Sequence, residues 1–108
     1  MHDGMIDTQL RAMADPTRRA ILKQLASGGE ISAGEVAAGF EITRPAVSRH
    51  LRVLLDAGLI IVRKEAQSRL YSADPSTIDE LRAWFVDYWD TALPRLKHVV
   101  ERDKRGRK

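Results

Sequence analysis

Apolar residues recur at helical spacing along most of this chain and give way once to two β-rich runs, and that switch lays out the fold. Met5, Ile6, Leu10, Met13 and Ala14 stand at helical spacing and predict a first helix over 5–14. Asp15-Pro16 interrupts it, with Asp15 placed to cap and Pro16 at the first position of a second helix, 16–26. That helix buries Ile21, Leu22 and Leu25 and ends at Gly28-Gly29. Between Ser32 and Leu59 lie two further helix starts, eleven residues apart. Ser32 and Glu35 have the spacing of a capping box, each side chain reaching the other's backbone N–H. Thr43 is placed to cap the next helix, with Pro45 in its first turn where a missing N–H costs nothing. Gly39 is read as the stop between the two, because glycine enters a left-handed C-cap cheaply. Val47, Leu51 and Leu54 form the buried stripe of the second helix, and Asp56-Ala57-Gly58 closes it. Two short helices joined in this way predict a helix-turn-helix.

The pattern then changes. Leu59 to Glu65 and Ser68 to Ala73 are β-rich runs separated by Ala66-Gln67, which predicts a two-stranded hairpin, or wing. Pro75, with Asp74 as N-cap, opens a long helix to about residue 102, and Pro94 is expected to kink it or to start a new turn. The apolar positions of this helix, from Ile78 to Val100, exceed what one small core needs. Four of the six aromatic residues (Trp84, Phe85, Tyr88 and Trp89) fall within six consecutive positions. Such a surface suits a partner, most simply a second copy of the chain; the alternative is that it covers the domain's own core. The fold class expected is mainly α with a small β-hairpin, a winged helix-turn-helix with a long C-terminal dimerisation helix. One domain spans 1–101, followed by a basic, disordered tail, 102–108.

Composition narrows the function. The chain has 108 residues, 44% hydrophobic and 31% charged, as expected of a folded soluble protein. No apolar run approaches the roughly 18 residues of a membrane span, and no signal peptide is evident. Cysteine is absent, which removes disulfides and thiolate metal sites and suits a cytoplasmic location. The net charge of +3 is unevenly placed. Residues 43–71 hold six basic and two acidic side chains, and 102–108 five basic and one acidic, whereas the other two stretches are net acidic. Positive charge gathered on one helix, the wing and the tail favours a polyanion at one face.

The residues that would meet such a polyanion are Thr43, Arg44, Pro45, Ser48, Arg49 and Arg52 on the second motif helix, and Arg63, Lys64, Gln67 and Arg69 on the wing. Thr17 and Arg18 beside the preceding helix N-terminus are further phosphate candidates, with a surface role for Arg18 and Arg19 as the alternative. Arginine bridges guanine O6 and N7, so Arg44 or Arg49 is the candidate base reader, and a phosphate clamp is the alternative for each. His50 lies beside the core stripe and is expected to pack or to contact backbone. An enzyme is excluded: Ser48 and His50 point about 200° apart on a helix, and there is no glycine-rich phosphate loop. A protein-binding winged helix is the remaining rival, opposed by the basic residues of the motif helix and wing.

These blocks resemble the ArsR (arsenic-repressor) family of winged-helix transcriptional regulators. The resemblance is carried by Ala12-Met13-Ala14-Asp15-Pro16-Thr17-Arg18-Arg19-Ala20-Ile21-Leu22 and the run Ser32 to Phe40. It continues through Arg44-Pro45-Ala46-Val47-Ser48-Arg49-His50-Leu51-Arg52-Val53-Leu54, then Ala57-Gly58-Leu59 and the wing ending in Leu70-Tyr71. It covers about residues 8–98 and implies a homodimer on a roughly palindromic double-stranded DNA operator, usually repressing transcription. It also implies an interface formed by the first and last helices, here Ile6, Leu10, Trp84, Phe85, Tyr88, Trp89, Leu93 and Leu96. Many members sense a metal. The thiolate pair of such sensors would fall around Ile31 to Glu35, where no cysteine stands, so soft metals are excluded there. The family's second metal site, on the last helix, would fall on Asp74, Ser76, Asp87 and Asp90, without an imidazole. His98 and Glu101 have ligand-like spacing but stand alone. The chain therefore resembles the branch of the family without a metal site: no metal and no cofactor are expected, and any inducer is unidentified. The alternative is a repressor responsive to a metal or a small ligand held on the last helices: a hard cation on those carboxylates, or a ligand near apolar Phe40, Trp84 and Trp89.

Overall fold

Side-chain oxygens start four of the helices. In the computed structural model, which describes residues 3–106, Asp15 Oδ2 accepts the Arg18 N–H at 3.0 Å and starts α2 (Pro16–Gly28). Ser32 Oγ accepts the Glu35 N–H at 3.2 Å while Glu35 Oε1 accepts the Ser32 N–H at 3.0 Å, so the expected capping box opens α3 (Ala33–Phe40). Thr43 Oγ1 accepts the Ala46 N–H at 3.2 Å and opens α4 (Arg44–Asp56). Asp74 Oδ1 accepts the N–H groups of Ser76 at 3.1 Å and Thr77 at 3.4 Å at the start of α5 (Pro75–Gly106). Each bond satisfies a donor that the helix itself cannot. These backbone bonds are also the main reason the Asp15 and Glu35 carboxyls sit below their ordinary range. The first helix, α1, is Asp3–Ala12, with Met13 and Ala14 in the turn that follows it.

The β structure holds one strand more than the hairpin expected from the sequence. Strands β2 (Ile60–Glu65) and β3 (Ser68–Ala73) pair antiparallel from Ile60↔Ala73 to Glu65↔Ser68. A two-residue strand, β1 (Ile31–Ser32), pairs antiparallel on the other side of β3, giving the order β1-β3-β2. Two residues show no alternation, and Ser32 doubles as the α3 cap, so this strand carries no signal of its own. The Ala66-Gln67 turn has a positive φ, 54°, at its first position only. That is the sign pattern of a type II′ hairpin turn, made here without the glycine that usually serves it.

The stop between α3 and α4 also differs from the expectation. Helix α3 runs through Gly39 to Phe40, and the left-handed residue is Glu41, φ 53°. A Cβ on Gly39 would meet only Gln24 Nε2, at 3.8 Å, an ordinary contact, so neither space nor φ requires glycine there. The chain reverses two residues later, where the turn geometry imposes the unusual dihedral on a glutamate.

Residues up to Ile78 form one compact unit around a single core. Ile21, Leu25, Val36, Val47, Leu51, Leu54, Leu59 and Ile60 are its fully buried large side chains. Each contributes about 1.5–3 kcal/mol by leaving water, so the core and not the short helices' own propensity holds the motif together. Buried Gln9 donates from Nε2 to the Ala57 carbonyl at 3.3 Å, tying α1 to the end of α4. The second unit, from Asp79 onward, consists of the rest of α5. The helix continues through Pro94 and reaches Gly106. Residues 102–106 are therefore helical where a disordered tail was expected; 107 and 108 lie outside the described residues. Lysine and arginine are good helix formers, and cations suit a helix C-terminus, which favours the extension.

Glycine adopts φ near 53° without the steric cost that glutamate bears. Glu41→Gly is expected to raise unfolding stability by about 0.5–1 kcal/mol in urea denaturation. A loss of stability would show that the Glu41 side chain contributes more than its backbone costs.

Candidate nucleic-acid interface

Burial of Val47, Leu51 and Leu54 leaves the opposite side of α4 in solvent. At 100° per residue, Pro45, Ser48, Arg49, Arg52 and Asp56 fall within an arc of about 100°, and all five are exposed. Arg52 lies 3.8 Å from Asp56 one turn on, an exposed pair worth little. Arg49 has no acidic partner among the described residues. Arg44 stands apart from this arc. It is exposed, but its guanidinium leans back over the first turn of α3, where a Cβ on Gly34 would lie 3.4 Å from Nη1. His50 is half-buried on the flank of α4, outside the exposed arc.

The wing separates its cations by face. Lys64 and Arg69 are direct cross-strand partners, both exposed and without an acidic partner among the described residues. Like charges placed opposite each other repel, so this pair is stabilised by an anion from outside. Arg63, on the other face, is held by Glu30: Nη2 donates to Oε1 at 2.8 Å and Nε donates to Oε2. Glu65 adds a second carboxylate at 3.5 Å. The tip residue Gln67 is exposed.

The arginines of α2 fold back onto the α1–α2 turn. Arg18 is half-buried and donates from Nε to the Ala12 carbonyl at 2.6 Å and from Nη2 to that of Arg11 at 3.3 Å. Arg19 donates to the carbonyls of Met13 at 2.8 Å and Ala14 at 3.0 Å. Both close the α1–α2 turn by satisfying carbonyls that the end of a helix leaves open. Thr17 beside them is half-buried. Sequence reasoning missed this use, and missed Glu30 as the partner of Arg63; the strand that brings Glu30 near the wing is too short to read.

Known proteins share this architecture. Residues 13–63 match the helix-turn-helix domain family. The HTH-type transcriptional regulator Rv2034 of Mycobacterium tuberculosis is 38% identical over 95 residues, covering 88% of this chain and 88% of that protein. The transcriptional repressor SdpR of Bacillus subtilis is 35% identical over 78 residues, 72% of this chain and 86% of that one. A solved structure of an ArsR family transcriptional regulator superposes with a TM-score of 0.73 at 27% identity, covering 84% of this chain and 93% of its own. The chain belongs to the ArsR family.

This ArsR-family chain is thus a winged helix-turn-helix transcriptional regulator that binds DNA, not an enzyme. Its last helix carries Phe85, Val86, Tyr88, Trp89, Leu93, Leu96, Val99 and Val100, each 37–57% exposed. Trp84 and Tyr88 stack with ring centres 5.4 Å apart, and Phe85 and Trp89 meet them edge-on at 5.2 and 5.1 Å. Ile6 and Leu10 on α1 are half-buried. Among the described residues no three histidine, aspartate or glutamate side chains gather as a metal site requires. Asp74 is occupied as a helix cap, and Ser76, Asp87, Asp90, His98 and Glu101 are exposed. No helix among the described residues is long and apolar enough to cross a membrane.

Two arginines should respond oppositely to truncation. Arg18→Ala removes the guanidinium bond to the Ala12 carbonyl and is expected to cost about 1–2 kcal/mol of stability while the folded protein keeps its DNA affinity. Arg44→Ala should leave thermal stability nearly unchanged and weaken specific binding by about 1–3 kcal/mol. Melting curves with fluorescence anisotropy on a duplex from upstream of the gene check both. Equal loss for Arg44→Ala on specific and random duplexes would make it a phosphate clamp.

Proposed function

We propose that the chain acts as a homodimeric repressor that grips a two-fold symmetric DNA operator with α4 in the major groove and the wing alongside. The observation that carries this reading is the pairing of one exposed α4 arc, bearing Ser48, Arg49 and Arg52, with the unneutralised Lys64–Arg69 pair on the wing. Arg49 reads bases or clamps phosphate from one edge of the arc, Arg52 adds charge near its centre, and Thr43, Pro45 and Gln67 flank the contact. Arg44 swings from its resting place over Gly34 to join the helix N-terminus at the groove. Lys64 and Arg69 take phosphate, a contribution that falls with salt. Twin subunits put half-sites roughly one helical turn, about 10–11 base pairs, or a multiple of it apart.

Dimerisation through the last helix is supported by its exposed aromatic and aliphatic side chains, which are costly to leave in water as a contiguous strip. Repression is supported by likeness to SdpR, itself a transcriptional repressor. Thiolate metal sensing has no ligand in this chain, which lacks cysteine.

Gel shift against the chain's own upstream DNA, across a salt series, tests the reading. Trp89→Asp and Tyr88→Asp are each expected to give monomers in sedimentation, with at least tenfold weaker operator binding. An intact dimer for both variants would remove α5 from the interface. Equal affinity for upstream and unrelated DNA would remove the operator.

A further inference from the structure

We propose that Arg63 is a positioning residue: it tethers the wing to Glu30 at the end of the α2–β1 turn and makes no contact with the duplex. The inference rests on the operator-binding reading above and changes which wing cations act in it. Register makes the geometry plain. Arg63 pairs with Leu70, and Leu70 pairs with Ser32, so these three form one row across the sheet. Glu30 stands in the bend two residues before Ser32, and its bond with Arg63 brings its carboxylate to that row. The β1 and β2 backbones are two strand spacings apart, roughly 9–10 Å, so the Arg63 side chain crosses β3 to reach its partner. It arrives as a fork, two guanidinium nitrogens on the two oxygens of one carboxylate, the geometry in which an exposed ion pair holds best.

Charge bookkeeping points the same way. Arg63 has two carboxylates on it, Glu30 and Glu65, so its neighbourhood is net negative and repels phosphate. Lys64 and Arg69, on the opposite face, have none among the described residues. The Arg63 bond, before any longer-range attraction, holds the Glu30 carboxyl below its ordinary range, so Glu30 remains an acceptor throughout neutral pH. The tether matters because Ile60 and Tyr71 anchor only the base of the wing in the core, and β1 adds just two residues of pairing beside it. A strand that short is a weak anchor for a protruding hairpin.

Arg63→Lys separates anchoring from contact, since lysine keeps the charge for a phosphate but loses the fork. Two readouts are needed: amide exchange of residues 59–73 in the free protein, and binding to a fluorescein-labelled 30-base-pair mixed-sequence duplex across a salt series. Arg63→Lys and Glu30→Gln should each speed wing exchange by about two- to fivefold, and the double variant no more than either alone. Arg63→Ala should leave the salt slope unchanged, whereas Lys64→Ala lowers it by about one. A slope lowered by about one in Arg63→Ala, with wing exchange as in wild type, would overturn the proposal and make Arg63 a phosphate contact. Wild-type protein that ignored the duplex at low salt would sink the operator-binding reading, while the exchange data would still decide the tether.

Discussion

Burial of Val47, Leu51 and Leu54 determines where every cation on α4 points. A helix of thirteen residues is marginal alone, so its rotation about its own axis is set by the apolar stripe it gives to the core. Those three side chains are each at most 1% exposed, and turning α4 forward by one residue would put Ser48 and Arg52 in the places of Val47 and Leu51. The exposed arc of Ser48, Arg49 and Arg52 is the geometric complement of that burial. The Thr43 cap fixes where the helix begins, and Gln9 bonded to the Ala57 carbonyl fixes where it ends. Between these two bonds the surface offered to DNA has one orientation.

Basic residues here fall into two physical groups, and net charge does not tell them apart. Arg18 and Arg19 close a helix end, and Arg63 holds a strand to a turn. Arg49, Lys64 and Arg69 lack a partner among the described residues, so their full charge faces solvent. The charge available to a polyanion is therefore smaller than a count of arginines and lysines suggests, and it is better focused. Its focus lies on one arc of one helix and one face of the wing.

Much of this was readable in the sequence. Caps at Asp15, Ser32, Thr43 and Asp74 announce themselves because capping chemistry is local, decided within three or four residues. The core stripe of α4 follows from helical period, and both wing strands follow from their β-favouring residues. What escaped depends on contacts between residues distant along the chain. Ile31–Ser32 becomes a strand only because β3 lies beside it, and Glu30 meets Arg63 only through that pairing. Gly39 looked like a stop because glycine permits a left-handed turn, yet permission is not requirement, and Glu41 makes the turn instead. The roles of Arg18 and Arg19 were hidden for a similar reason: a guanidinium over a helix end looks in sequence like any surface arginine.

The most direct test of the account is to follow backbone and arginine side-chain NMR resonances while duplex DNA from upstream of the gene is added. Shifts centred on Ser48, Arg49, Arg52, Lys64 and Arg69, with the Nε–H signals of Arg18 and Arg63 unmoved, are the result the account requires. Shifts confined to α5, or a spectrum indifferent to DNA at low salt, would contradict it.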